Sequence, residues 1–153
     1  MVTQFGRRTT LLPLQQTLVE NQAFQANPLC AESLGMTIEF YKKVGFMPPW
    51  IGYYAELNGA LVGAAGFKGK PVDGTVEIAY GTFDYYQKQG VGTAMCACLV
   101  KIAQEADPAV RITARTLPEE GFSTRILEKN GFVFTGTVLD PDDGDVWEWL
   151  YVS

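Results

Sequence analysis

The residues with the types and spacing to do chemistry gather in one stretch and just beyond it. An apolar alternation, Val76, Ile78 and Tyr80, reads as a strand, and Glu77 stands on its opposite phase. A polar turn follows, Gln87-Lys88-Gln89, then Gly90-Val91-Gly92, then a helical pattern. Strand, glycine turn and helix start, in that order, can build an anion site. The first N–H groups of a helix have no partner inside it, and the helix dipole favours negative charge there. Glycine lets a bulky phosphate approach the backbone without a Cβ in the way. The same run also serves as plain turn chemistry. It is not a P-loop, because no Lys-Ser/Thr follows the glycines. It is not a dinucleotide fingerprint either, since the third glycine would fall on Met95.

Composition removes several classes of chemistry. The 153 residues include no histidine, which excludes His-based acid–base catalysis and every His-containing metal site. Cys30, Cys96 and Cys98 are odd in number and poorly spaced for a disulfide framework, and they read as buried small hydrophobes. The acidic run Asp140-Pro141-Asp142-Asp143-Gly144-Asp145 lacks EF-hand spacing and reads as a solvated hairpin turn, so no metal is expected. A formal net charge of -5 argues against nucleic acid or an anionic membrane as a partner, while Lys88 leaves a local basic spot beside the glycines. With 47% hydrophobic and 19% charged residues, the composition is that of a folded globular chain. The N-terminal run is too short in apolar length for a signal or a membrane span, and a reducing cytoplasm is the expected compartment.

The elements that must position these residues read as follows. Strands are expected over 9–14, 51–57, 60–67, 75–82, 110–114, 132–139 and 146–152. Helices are expected over 14–24, 34–44 and 91–106, with a fourth from Thr116 to Asn130. Asn58-Gly59 predicts a tight hairpin. Gly45 is placed to close a helix as its C-cap, and Asn130-Gly131 to close another as a left-handed stop. Thr116 and Glu119 are placed to make a capping box. Gly63, Ala64, Ala65 and Gly66 predict close approach by another backbone. Helices mixed with hairpins imply a mixed α/β or α+β domain, read as a single unit over 1–153.

With these motifs in view, the chain resembles the GCN5-related N-acetyltransferase superfamily. That family carries Gln/Arg-x-x-Gly-x-Gly/Ala in the turn into its central helix, matched here by Gln87 to Gly92. It also has a helix ending in Glu-Lys-x-Gly-Phe, matched by Glu128-Lys129-Asn130-Gly131-Phe132. Within the family the chain looks nearest to the ribosomal-protein N-terminal acetyltransferases, whose Thr-x-Pro-x-Asn-x-x-Ser is met by Thr116, Pro118 and Ser123. The Asn place of that pattern holds Glu120 or Gly121, and the place of a common tyrosine holds Leu127.

The resemblance implies an acyl-CoA N-acyltransferase fold, with a central, mostly antiparallel mixed sheet and about four helices. It implies acetyl-CoA as co-substrate in a split between the strands over 75–82 and 110–114. The pyrophosphate would lie on Gln89, Gly90, Val91, Gly92, Thr93 and Ala94, with Gln87 and Lys88 at the lip. The pantetheine arm would pair with backbone near Gly81, Thr82 and Phe83. Glu77 is the expected base and Ser123 the expected donor near the leaving sulfur. The acceptor would be a small-molecule amine or a peptide α-amine. The aromatics Phe24, Phe40, Tyr41, Phe46, Trp50, Tyr53 and Tyr54, with Glu32, Glu39 and Glu56, are candidates for its wall or for core. A non-catalytic acyl-CoA-binding module on the same fold is the alternative, and a homodimer is left open.

Overall fold

The computed structural model describes residues 3–5 and 9–152. Among the described residues eight strands form one sheet: β1 (Thr3–Phe5), β2 (Thr9–Pro13), β3 (Gly52–Leu57), β4 (Ala60–Phe67), β5 (Thr75–Thr82), β6 (Arg111–Thr116), β7 (Phe132–Asp140) and β8 (Gly144–Tyr151). The helices are α1 (Gln22–Gln25), α2 (Ala31–Val44), α3 (Val91–Ala106) and α4 (Phe122–Lys129). The strand order is β1-β2-β3-β4-β5-β6-β8-β7. Every neighbouring pair is antiparallel except β5 and β6. This is the mixed, largely antiparallel sheet with about four helices expected from the sequence.

The two sides of the sheet are covered differently. α3 is buried along most of its length, including Met95, Cys96, Leu99 and Ile102, and it packs against β4 and β5. A Cβ built at Gly63 would lie 3.1 Å from the Met95 side chain, so that residue faces α3. A Cβ at Gly52 would lie 3.1 Å from Thr37 Cγ2 and 3.4 Å from the Tyr41 hydroxyl, so the opposite face carries α2. The close approach expected of the small residues in β4 is present. Gly63 leaves only 2.7 Å from its Cβ position to the Gly81 carbonyl, and Gly66 leaves 3.0 Å to Gly52 Cα.

Local chemistry decides where these elements begin and end. Asn58 and Gly59 take φ of 51° and 84°, the doubly left-handed turn that fits a two-residue hairpin. The helix expected over 14–24 shrinks to a 3-10 turn, Val19–Asn21, and the four-residue α1. The buried Asn21 side chain is the cause. Its Oδ1 accepts the Gln15 N–H at 2.7 Å, and its Nδ2 donates to the Gln15 and Thr17 carbonyls at 2.9 and 2.8 Å. Those backbone groups are thereby held in a loop. Thr116 does not cap a helix. It ends β6, opposite Trp147, and its hydroxyl accepts the Trp149 indole N–H at 3.0 Å. α4 starts later, where the Thr124 hydroxyl accepts the Gly121 N–H at 3.0 Å. β1 has no counterpart among the expected elements.

Candidate functional site

The site begins where the parallel pairing stops. β5 and β6 pair from Thr75–Arg111 to Ile78–Ala114 and no further. β5 continues along β4 to Thr82, while β6 turns to β8 through Arg115 and Thr116. The two strands diverge, and backbone groups at the end of β5 lose their neighbour on one side. Register identifies which ones. The Lys68 N–H donates to the Glu77 carbonyl at 2.9 Å and the Phe83 N–H donates to the Val62 carbonyl at 2.9 Å. The odd-numbered residues of β5 therefore direct their backbone at β4, and the even-numbered ones direct theirs at the split. Beyond Ile78, Tyr80 and Thr82 present N–H and C=O groups to the opening.

The glycine turn closes one end of this opening. Gly90 is left-handed, with φ 82°, and caps α3; Lys88 is also left-handed, with φ 65°. The first intrahelical bond is the Ala94 N–H to the Gly90 carbonyl at 3.1 Å. The N–H groups of Val91, Gly92 and Thr93 thus have no acceptor inside the helix. Gly92 faces α4: a Cβ there would lie 2.6 Å from Ile126 Cδ1. The result is a cleft of about 760 Å³ between β5, the start of α3 and the start of α4. Lys88, Arg125 and Lys129 line it, against Glu119 and Glu120. Phe122, 62% exposed, lies in it with Lys88 Nζ 5.6 Å and the Arg125 guanidinium 5.1 Å from its ring centre.

Most of the expected cofactor residues meet in this cleft: Gly81, Thr82, Gln87, Lys88, Gly90, Val91, Gly92 and Thr93. Phe83, Gln89 and Ala94 are not part of its lining. The Phe83 N–H is bound to Val62, and its ring stands 6.5 Å from that of Tyr54. The Ala94 N–H is already inside the helix ladder and its side chain is buried. Tyr80, Phe122 and Arg125 are lining residues that sequence reasoning did not assign. Strand alternation, read from the Asn58-Gly59 hairpin through β4, is the signal that would have pointed to Tyr80.

The two expected catalytic residues part company. Ser123 lines the cleft, exposed in the first turn of α4. Leu127, one turn on, is fully buried. Glu77 does not line the cleft. It lies on the α2 face of β5, with Lys68 Nζ 3.0 Å from one carboxylate oxygen and Arg115 Nε 3.8 Å from the other. Arg115 also pairs with Asp140 at 2.9 Å and Glu148 at 3.3 Å. Backbone N–H bonds from Asp142 and then the Arg115 guanidinium hold the Asp140 carboxyl below its usual range.

A second cavity, about 450 Å³, lies between α2 and the small residues of β4 and β5. Ala64, Gly66 and Ala79 belong to its floor, Met36 and Phe40 to its α2 side, and Lys68 is part of its lining. Tyr80 and Gly81 line both this cavity and the cleft. Burial pushes the Tyr80 phenol well up, with Cys96 adding to the effect.

The acidic, aromatic wall is not what surrounds this cavity. Among the candidates only Phe40 and Tyr41 line it, and none of Glu32, Glu39 and Glu56 does. Glu39 pairs with Lys42 at 2.7 Å on the exposed side of α2. Tyr41 is structural. Its hydroxyl donates to the Leu14 carbonyl and accepts the Gly52 N–H, each at 2.9 Å, and burial pushes its pKa up to about 12. Tyr53 donates to the Pro49 carbonyl at 2.7 Å and Tyr54 to the Cys30 carbonyl at 3.1 Å. All three cysteines are buried, and burial pushes Cys96 up to about 12 and Cys98 up to about 11. A thiol so placed is a poor nucleophile. No helix among the described residues is long and apolar enough to cross a membrane.

Comparison with known proteins bears on the same elements. A model of the acetyltransferase (GNAT) domain matches residues 13–133. The uncharacterized N-acetyltransferase YjdG of Bacillus subtilis (strain 168) is 30% identical over 97 residues, 63% of this chain and 55% of that protein. The matched part of the chain thus spans little more than half the length of this curated relative. An aminoglycoside acetyltransferase, AAC(6')-Ib in complex with coenzyme A, is 27% identical with a TM-score of 0.58, over 67% of this chain and 65% of that one. RimL, a ribosomal-protein alpha-N-acetyltransferase in complex with coenzyme A, has a TM-score of 0.71 over 99% of this chain and 98% of its own. Its identity is 12%, a likeness of fold alone. Structures of both kinds are similar to this one, and neither branch stands out.

Proposed function

The chain belongs to the acetyltransferase (GNAT) domain family, and from that premise we propose that it transfers the acetyl group of acetyl-CoA to a primary amine within a ternary complex. One observation carries the reading: the cleft at the strand split and the cavity under α2 share Tyr80 and Gly81. A thioester held in the first and an amine held in the second would meet there without a covalent enzyme intermediate. The buried cysteines, with their raised pKa values, support direct attack.

The residues suit the co-substrate. The unpaired N–H groups of Val91, Gly92 and Thr93 at the start of α3 are donors for a pyrophosphate. Lys88, Arg125 and Lys129 supply positive charge around it. Tyr80 and Thr82 offer the backbone donors and acceptors that an amide-bearing pantetheine arm pairs with. Acetyl-CoA supplies the activated acetyl carbon, and the protein's part is position and proton transfer. As the amine nitrogen bonds to that carbon, the carbon–sulfur bond breaks. Negative charge on the carbonyl oxygen is met by backbone N–H at the split, with Tyr80 the nearest such donor by register. Glu77, on the face of β5 that also carries Ala79 and Gly81 but outside the cavity's lining, takes the amine's proton through intervening solvent. The Ser123 hydroxyl donates a hydrogen bond to the departing thiolate, which takes up its proton from solvent. Both assignments have direct tests. Glu77→Gln lowers turnover and leaves acetyl-CoA affinity in place, and Ser123→Ala lowers turnover several-fold; unchanged turnover across the accessible pH range removes the residue concerned.

One observation favours the alternative, a non-catalytic acyl-CoA-binding module: Leu127, where many relatives are expected to carry a phenol, is fully buried. Calorimetric titration with acetyl-CoA, followed by a free-thiol assay with a panel of amines, separates the two. Binding with amine-dependent thiol release is the expected result. Binding without release from any amine selects the non-catalytic reading, and no binding removes the site.

A further inference from the structure

We propose that the acceptor is a primary amine that also carries a carboxylate and an apolar body, of amino-acid to dipeptide size, and that Lys68 is the residue that selects it. The inference rests on the transfer reading above and deepens it.

The cavity under α2 has a definite chemistry. Its sides and floor are mostly apolar, from Met36 and Phe40 to Ala64, Gly66 and Ala79, with Thr37 and Tyr41 beside them. Met36 is 66% exposed, as a residue at a mouth would be. No aspartate or glutamate lines the cavity among the described residues, and its one charged lining residue is Lys68. A polycationic amine would leave its extra charges facing apolar walls and an ammonium, which is costly. An apolar body would fit the walls.

Lys68 still has capacity to bind. Its ammonium carries three donors, and Glu77 takes one of them at 3.0 Å. The lysine side chain is 46% exposed, and it lines the cavity. Glu77 itself is shared between Lys68 and Arg115, so the Glu77 carboxylate holds the lysine in place with charge neutralised on both sides. A carboxylate on the acceptor would complete the lysine's hydrogen bonding.

Register sets the size. The reacting amine must lie at Tyr80 and Gly81, where the two cavities meet. Lys68 lies beside Glu77, roughly 10 Å of strand away from Tyr80. The hydrogen bonds at the two ends, one from the ammonium held at Glu77 and one at the Tyr80 backbone, take about 3 Å each out of that span. The remaining distance suits the separation of amine and carboxylate in an amino acid or a dipeptide.

The test compares matched amines in the thiol-release assay: phenylalanine with phenethylamine, leucine with isoamylamine, and alanyl-phenylalanine with its C-terminal amide. Spermidine and an aminoglycoside serve as polycations. The wild-type protein should prefer the carboxylate-bearing member by roughly tenfold or more in kcat/KM, the effect of one charge-assisted hydrogen bond. Lys68→Met should bring that ratio to within about threefold of unity, and Lys68→Arg should keep it. The ratio cancels any common loss of turnover caused by disturbing Glu77. Equal or better use of the carboxylate-free or polycationic amines overturns the proposal and leaves the transfer reading intact, as does a ratio that survives Lys68→Met. Thiol release from no amine defeats the transfer reading instead. Calorimetry on the CoA-loaded protein then still decides the role of Lys68, since phenylalanine must bind more tightly than phenethylamine and lose that advantage in Lys68→Met.

Discussion

Gly63→Ala is the substitution whose cost the structure fixes most closely. The added methyl would stand 2.7 Å from the Gly81 carbonyl oxygen and 3.1 Å from Met95 Sδ and Cε. The first neighbour is backbone near the end of β5 where that strand is still paired with β4, so relief requires β5 to move away from β4. Overpacking of this kind costs about 1–3 kcal/mol, and a backbone clash belongs at the upper end. Replacing glycine by alanine within a strand returns roughly 0.5–1 kcal/mol. The net loss is about 2 kcal/mol, or about 4–8 °C in Tm for a chain of this length. Gly92→Ala is the informative contrast. Its methyl would meet Ile126 Cδ1 at 2.6 Å, which is closer, but that atom is the free end of a side chain. Its loss should be less than half that of Gly63→Ala, and Ile126→Val should recover it. Urea denaturation, with midpoints compared at unchanged slope, gives both values. A loss under about 0.5 kcal/mol for Gly63→Ala, or a larger loss for Gly92→Ala, would refute the reasoning.

Three further outcomes follow from the same geometry. Gly90→Ala forces a side chain to φ 82° at the cap of α3, and Gly74→Ala does the same at φ 74° in a turn away from the cleft. Each should lose about 1 kcal/mol of stability, but only Gly90→Ala should weaken acetyl-CoA binding in calorimetry. Tyr41→Phe leaves the buried Leu14 carbonyl and Gly52 N–H without their shared partner and should cost about 2–3 kcal/mol in urea denaturation. Tyr41 and Tyr54 titrate near 12 when folded, against 10.0 for a free phenol, so the folded state holds more protons in that interval. Stability should therefore fall as pH rises from about 10 to about 12, and Tyr41→Phe should flatten the slope.

What could be read from the sequence depended on whether the determinant was local. The Asn58-Gly59 hairpin and the Gly90 cap are set by backbone conformations that few other residues adopt, so residue type announces them. The strand over 75–82 and the helix over 91–106 matched their patterns because one apolar face repeats along each. Non-local partners decided the failures. Asn21 reaches back to Gln15 and Thr17, and Thr116 answers a tryptophan two strands later in the chain. Neither partner is visible in a window of neighbours. The same division runs through the site. Gly90, Val91 and Gly92 were legible as donors at a helix start. The choice of Tyr80 and Thr82 over Gly81 and Phe83 as the free backbone depends on register with β4. Residue type alone could not separate Phe40, which faces a cavity, from Tyr53, whose hydroxyl is tied to the Pro49 carbonyl.

In the proposed reaction acyl donor and amine meet in one complex at Tyr80 and Gly81. Initial rates of thiol release, measured with acetyl-CoA and phenylalanine each varied at several fixed levels of the other, test it directly. Double-reciprocal lines that intersect are the predicted result, because both must be bound before the acetyl group moves. Parallel lines, or thiol release that does not depend on the amine, would contradict it.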